Sequence, residues 1–160
     1  MKKWILIGVG VLAAGVAAMS IFGKPHVIDV TKGYEGKGYF GRRFETKVDL
    51  IVFQFSDSDE LSLSAPGADM PRLEELPKAF PYRWYGDKIY GVLPRGSAFK
   101  LVGAHQSTSS TMGHSWFMGE IESDGPFKGK IVGTSLISNY ADGRLYELKY
   151  AVELTTSTVK

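Results

Sequence analysis

No charged side chain occurs between Lys3 and Lys24. The twenty residues between them, from Trp4-Ile5-Leu6-Ile7 to Ile21-Phe22-Gly23, are mostly apolar. A helix rises about 1.5 Å per residue, so such a run reaches roughly 30 Å, the thickness of a bilayer's hydrocarbon core. The chain is thus expected to divide into a basic n-region at residues 1–3, a transmembrane anchor or signal peptide at 4–23, and an exported domain at 24–160. Val16-Ala17-Ala18 would place small residues at the −3 and −1 positions of a cut before Met19, as in a secretory signal. The apolar run nevertheless continues through Met19, Ile21 and Phe22, and that length favours a retained anchor. Either way Lys2 and Lys3 stay cytoplasmic and everything after Lys24 is exported.

The short Lys-Lys start and compact apolar segment have a bacterial character. The expected location is the bacterial inner membrane, single-pass, with the C-terminal domain in the periplasm or outside. The alternative is a periplasmic or secreted protein released by cleavage. Gly10, Ala14 and Ala18 recur every four residues and would share one helix face, a stripe that lets two such helices approach closely. The ordinary abundance of Ala and Gly in such segments accounts for it more simply.

The chain has no cysteine, which excludes disulfides, thiolate metal sites, cysteine nucleophiles and a lipidated N-terminal cysteine. All seventeen acidic residues follow Lys24, and removing Lys2 and Lys3 from the nineteen basic residues leaves seventeen. The exported part is formally neutral, without the electrostatic footprint of a nucleic-acid binder. No cofactor motif is expected to operate, and nothing in the sequence specifies an oligomeric state.

The exported part has β periodicity. In residues 144–154, Tyr146, Leu148, Tyr150, Val152 and Leu154 alternate with Glu147, Lys149, Ala151 and Glu153. Residues 130–138 are its expected hairpin partner, across the Asp142-Gly143 turn. Residues 44–55 form a long strand candidate that alternates and then becomes continuously apolar at Leu50-Ile51-Val52-Phe53, as a strand covered on both faces does. Further strands are expected at Leu61 to Leu63, 82–90, 98–105 and 114–122. One short helix is expected at Pro71-Arg72-Leu73-Glu74-Glu75-Leu76, limited by Pro77. The fold class is mainly β: an N-terminal transmembrane helix, then a small antiparallel barrel or sandwich with one short helix.

The candidate chemistry is sparse. Gly36-Lys37-Gly38-Tyr39-Phe40-Gly41 fits G-x-G-x-x-G, but it leads into an alternating β pattern instead of a helix, so it is expected to be a turn. If residues 98–105 and 114–122 form a hairpin, His105 and His114 can face each other across it. They are weak candidates for a metal site or for a base beside Ser109, Ser110 or Ser115. Asp57-Ser58-Asp59-Glu60 lacks the glycine and distal glutamate of a calcium loop and is expected to be a solvated turn. The strongest surface signal is aromatic. Phe80, Tyr82, Trp84, Tyr85 and Tyr90 fall within eleven residues, with Arg83 and Lys88 among them. In a strand, Tyr82 and Trp84 take one face while Arg83 and Tyr85 take the other. Tyr82, Arg83, Trp84, Tyr85 and Tyr90, with Trp116, are the candidate binding residues.

Gly91-Val92-Leu93-Pro94-Arg95-Gly96-Ser97-Ala98-Phe99-Lys100-Leu101-Val102-Gly103 is a turn leading into an alternating strand. Trp116-Phe117-Met118-Gly119-Glu120-Ile121 is a tryptophan-led strand, and Asp124-Gly125 and Phe127-Lys128-Gly129-Lys130-Ile131-Val132 continue it. Residues 90–136 in this respect resemble bacterial SH3-like domains. The resemblance implies a five-stranded barrel whose bacterial members bind cell-wall peptides or partner proteins. It covers less than a third of the chain, and Lys130 stands where that family usually has tryptophan.

These features point to a membrane-tethered envelope protein whose exported domain binds a protein or cell-wall component, as accessory subunit or inhibitor, without catalysis. The alternatives are an exported hydrolase or metal-binding protein using His105 or His114, and a soluble periplasmic binding protein with a cleaved signal. The anchor reading makes a direct prediction: the protein recovered from cell membranes keeps its N-terminal peptide through Phe22 in mass spectrometry. A mature chain beginning at Met19 would establish cleavage instead.

Overall fold

The structure is a computed structural model that describes residues 27–67, 70–107, 114–134 and 150–154. Contacts divide the chain into two units, Asp29–His105 with Ser115–Lys160, and Met1–Ile28 with Gln106–His114. In the second unit Val27 and Ile28 are exposed. The expected span at residues 4–23 lies outside the described residues, among which no helix is long and apolar enough to cross a membrane.

The fold is mainly β, and the described residues form ten strands in one open sheet. They are β1 (Val27–Asp29), β2 (Arg43–Thr46), β3 (Leu50–Gln54), β4 (Leu61–Ser64), β5 (Tyr82–Trp84), β6 (Asp87–Leu93), β7 (Ala98–Ser107), β8 (His114–Ile121), β9 (Ile131–Thr134) and β10 (Ala151–Glu153). Their order is β10-β2-β7-β8-β9-β4-β3-β6-β5, with β1 on β7 off this path. A single helical turn, α1 (Thr31–Tyr34), follows β1, and a 3-10 turn occupies Leu73–Glu75. The 3-10 turn lies within the expected helix. There the Glu75 carboxylate accepts the Arg72 N–H at 2.9 Å.

β3 shows why its sequence is continuously apolar. Leu50 and Val52 point into one cluster with Leu63, Leu93, Ile121 and Val132, while Ile51 and Phe53 point into another with Met70 and Ile89. Both faces are covered, so alternation gives way to a solid apolar run. On the first face, Phe117, Gly119 and Ile121 of β8 continue the core toward Phe99, Leu101, Phe44 and Tyr39. The second face of β3 is roofed by the chain around Met70, with Leu76, Tyr82 and Trp84 half-buried against it.

The expected strand at 44–55 is two strands, β2 and β3, and each pairs with a different partner: β2 with β7, and β3 with β6. The two ladders meet at Thr46. Its N–H donates to the Ser97 carbonyl and its carbonyl accepts the Gly96 N–H, while its buried hydroxyl donates to the Pro94 carbonyl and accepts the Ser97 N–H. Asp49 accepts the Arg95 N–H at 2.7 Å beside it.

Three expectations are corrected. Among the described residues, 131–134 do not pair with 151–153 as the expected hairpin of 130–138 with 144–154 requires, and the rest of that hairpin lies outside the described residues. β9 lies between β8 and β4, so both its edges are occupied, and β10 instead pairs with β2. Not every pair is antiparallel, because β4 and β9 run parallel, Leu61 opposite Val132. The expected strand at 82–90 is interrupted at Tyr85-Gly86. α1 was not foreseen; one turn is too short for helical periodicity to register.

Gly119 sits where β8 crosses the core. A β-carbon there would meet Phe99 Cδ2 at 2.9 Å and Thr134 Cγ2 at 3.2 Å. Phe99 and Thr134 are fully buried, so neither has room to yield. Gly119→Ala is therefore predicted to lower stability by about 1–3 kcal/mol through overpacking. Chemical denaturation of the two proteins checks it.

Candidate functional site

The β5–β6 hairpin carries the sequence's aromatic cluster. Trp84 pairs with Asp87, leaving Tyr85-Gly86 as a two-residue loop. Both have positive φ, 45° at Tyr85 and 101° at Gly86, the backbone that matches strand twist in such loops. Gly suits this conformation, and Asn or Asp tolerate it. A bulky aromatic does not, and holding Tyr85 there costs about 1 kcal/mol. The residue gains no burial in return, since its exposure is 94%. Its ring meets Trp84 edge to face, centroids 5.0 Å apart.

The surroundings hold this tip in place. The Arg83 guanidinium donates to the Gly86 carbonyl at 3.2 Å, and the Asp87 carboxylate accepts the Ser56 N–H at 3.0 Å. Trp84 and Tyr82 turn inward, as their alternation with Arg83 predicts. Phe80, at 38% exposure, lies 6.0 Å from the Tyr82 ring, centroid to centroid. Phe55, not singled out by the sequence, is 47% exposed and packs edge to face on Phe53. Its place became visible only once the Ser56–Asp87 bond set the end of β3 against the hairpin.

Tyr90 does not join the tip. The β3–β6 register slips between Val52–Gly91 and Phe53–Ile89, leaving Tyr90 as an extra residue on β6. Its ring lies on the face opposite Ile89, which pairs with Tyr82, and so packs against the cluster of Leu50 and Val52. There its hydroxyl donates to Gln54 at 2.8 Å, and the Lys88 ammonium lies 4.8 Å from its ring centre.

Trp116 and His105 form a separate group, with β9, β4 and β3 between β8 and the hairpin. His105 Nδ1 lies 2.6 Å from a Glu60 carboxylate oxygen, and its ring meets Trp116 at 68°, centroids 6.3 Å apart. The side chain of His114 lies outside the described residues. Among those described, no three His, Asp or Glu residues are placed to hold a metal. Asp57 to Glu60 form a turn closed by the Ser58 N–H on the Phe55 carbonyl and the Glu60 N–H on the Ser58 hydroxyl. Gly36, Gly38 and Gly41 have positive φ in turns between α1 and β2, so the G-x-G-x-x-G stretch does not open a helix.

Tyr82 presents a different chemistry. Its hydroxyl is buried with no hydrogen-bond partner, and burial first, then the Glu75 carboxylate, push its pKa above the ordinary phenol value. A buried unpaired hydroxyl is a net cost. Tyr82→Phe is therefore predicted to leave stability unchanged or raise it by about 1 kcal/mol. A fall of that size in thermal or denaturant unfolding would mean that the hydroxyl is satisfied by water.

Compared with family models, curated proteins and solved structures, the chain matches none.

Proposed function

We propose that this chain is a non-catalytic binding protein of the bacterial envelope that presents the Tyr85 hairpin to a protein or cell-wall partner. One observation carries the reading. A tyrosine occupies a left-handed position that favours glycine, at the apex of a hairpin, with nearly all of its surface in water. Strain retained at an aromatic that gains almost no burial is what a contact residue would require. Arg83 and Trp84 beside it supply the residue types that dominate interface energetics.

The binding mode is through side chains. β5 is the terminal strand of the sheet order, but it has three residues and Pro81 precedes it. So short an edge offers little for an added strand to pair with. The partner class, a protein or cell-wall peptide, follows from the SH3-like resemblance of residues 90–136. A small barrel is the finer reading of the fold. Its support is the junction at Thr46, where the β2–β7 and β3–β6 ladders share one pair of bent segments, with β8, β9 and β4 linking β7 to β3. In this proposal residues 4–23 tether the domain to the inner membrane as an accessory subunit or inhibitor. A cleaved, periplasmic form would present the same tip.

A hydrolase built on His105 draws on the Glu60 carboxylate, which could orient the imidazole. No hydroxyl is hydrogen-bonded to that imidazole among the described residues, so the binding reading is preferred.

The test exploits the strain. Tyr85→Asn keeps the turn and relieves the backbone, so it is predicted to raise stability by about 0.5–1 kcal/mol. The same change is predicted to abolish recovery of the partner crosslinked to the wild-type chain in cells. A variant that is more stable and still captures that partner in equal amount would overturn the proposal.

A further inference from the structure

A second region of the sheet, away from the hairpin, concentrates chemistry that the hairpin does not use. β7 would carry His105 to the same side as Phe99 and Leu101 if it alternated without interruption. The inward set is instead Phe99, Leu101 and Ala104, a step of two followed by a step of three. The strand thus changes parity once, as a bulged strand does, and His105 emerges on the opposite face. It meets Trp116 of β8 there, and beyond Trp116 come Gly133 of β9 and Ser62 of β4.

Gly133 shapes this surface. A β-carbon at that position would lie 3.2 Å from Trp116 Cδ1, 3.3 Å from its Nε1 and 3.3 Å from the Ser62 hydroxyl. The absent side chain leaves room for the half-buried indole, and the indole nitrogen and the Ser62 hydroxyl both border the space above Gly133. His105, whose ring meets the indole edge to face, has its Nδ1 2.6 Å from Glu60. Among the described residues, the indole N–H, the Ser62 hydroxyl, His105 Nε2 and the second Glu60 oxygen have no protein partner, and none is sealed from water. An aromatic surface is therefore ringed by groups that both donate and accept.

We propose that this face is a saccharide-binding site in which one pyranose ring lies on Trp116. Its apolar C–H face would cover the indole, and vicinal hydroxyls would bridge Glu60 and His105 on one side and Ser62 on the other. A free anion is disfavoured by Glu60, and a purely apolar ligand would leave the four polar groups desolvated and unpaired. The site does not depend on the hairpin, and its failure would leave that reading intact. One stacked ring and a few hydroxyl contacts correspond to a dissociation constant on the order of 1 mM.

The experiment is a titration of the full chain, held in a detergent without a sugar headgroup, with chitotetraose, cellotetraose and maltotetraose. The readout is the Trp116 indole N–H resonance. At least one sugar is expected to shift it saturably, with affinity falling about tenfold in Glu60→Gln, which loses a charged acceptor. Ser62→Ala, which leaves the indole seated, is expected to weaken the same sugar, and Tyr85→Asn to leave it unchanged. No saturable shift with any of the three sugars would overturn the proposal. So would an affinity indifferent to both Glu60→Gln and Ser62→Ala, or one lost in Tyr85→Asn.

Discussion

Thr46 is the residue on which the sheet turns. It is buried, yet its amide, carbonyl and hydroxyl are all hydrogen-bonded to the Pro94 to Ser97 turn. A buried polar group is tolerable only when satisfied, and here full satisfaction locks two ladders to one another. β2 and β3 therefore part by a fixed bend, and β6 and β7 part at the facing position. Every other strand is placed relative to that double bend: β8 on β7, β4 on β3, and β9 between β8 and β4.

Strand parity then decides which side chains share a surface. An extra residue in β6 lets Tyr90 and Leu93 share the Leu50 and Val52 cluster, opposite Tyr82 and Trp84. A parity change in β7 brings His105 out to Trp116. Both irregularities lie in the two longest strands outside β8, where one residue of slip re-aims everything beyond it. The molecule carries two separate aromatic surfaces, with β9, β4 and β3 between them, and a histidine that simple alternation of β7 would have buried.

Much of this was legible in the residues. The period of two at Phe99 and Leu101, the solid run from Leu50 to Phe53, and the inward pair Tyr82 and Trp84 are direct consequences of burial on one face or two. Pairing partners were less legible. Residues 144–154 have the clearest alternation in the chain, and alternation says which face is wet but not which neighbour lies alongside. β10 went to β2, held by the Lys47 N–H on Tyr150 and the Leu154 N–H on Arg43. The partnership of Glu60 with His105 spans 45 residues and leaves no local trace. Tyr85 was visible as an aromatic, but its turn was not, because tyrosine is the wrong residue for that backbone and masks the usual Asn-Gly signal.

The parallel pairing of β4 with β9 sets an order of events for the chain as it is made. β4 can zip onto β3 as soon as Ser64 is available, since their register is a local antiparallel one. Its other edge waits for Val132 and Gly133, and β9 must itself be flanked by β8. Closing so distant a contact costs chain entropy before it returns any burial, and such topologies fold slowly. During that interval the outer edge of β4 stands open. The time that edge spends unpaired, more than the final stability, then sets how much the protein needs protection from aggregation and proteolysis.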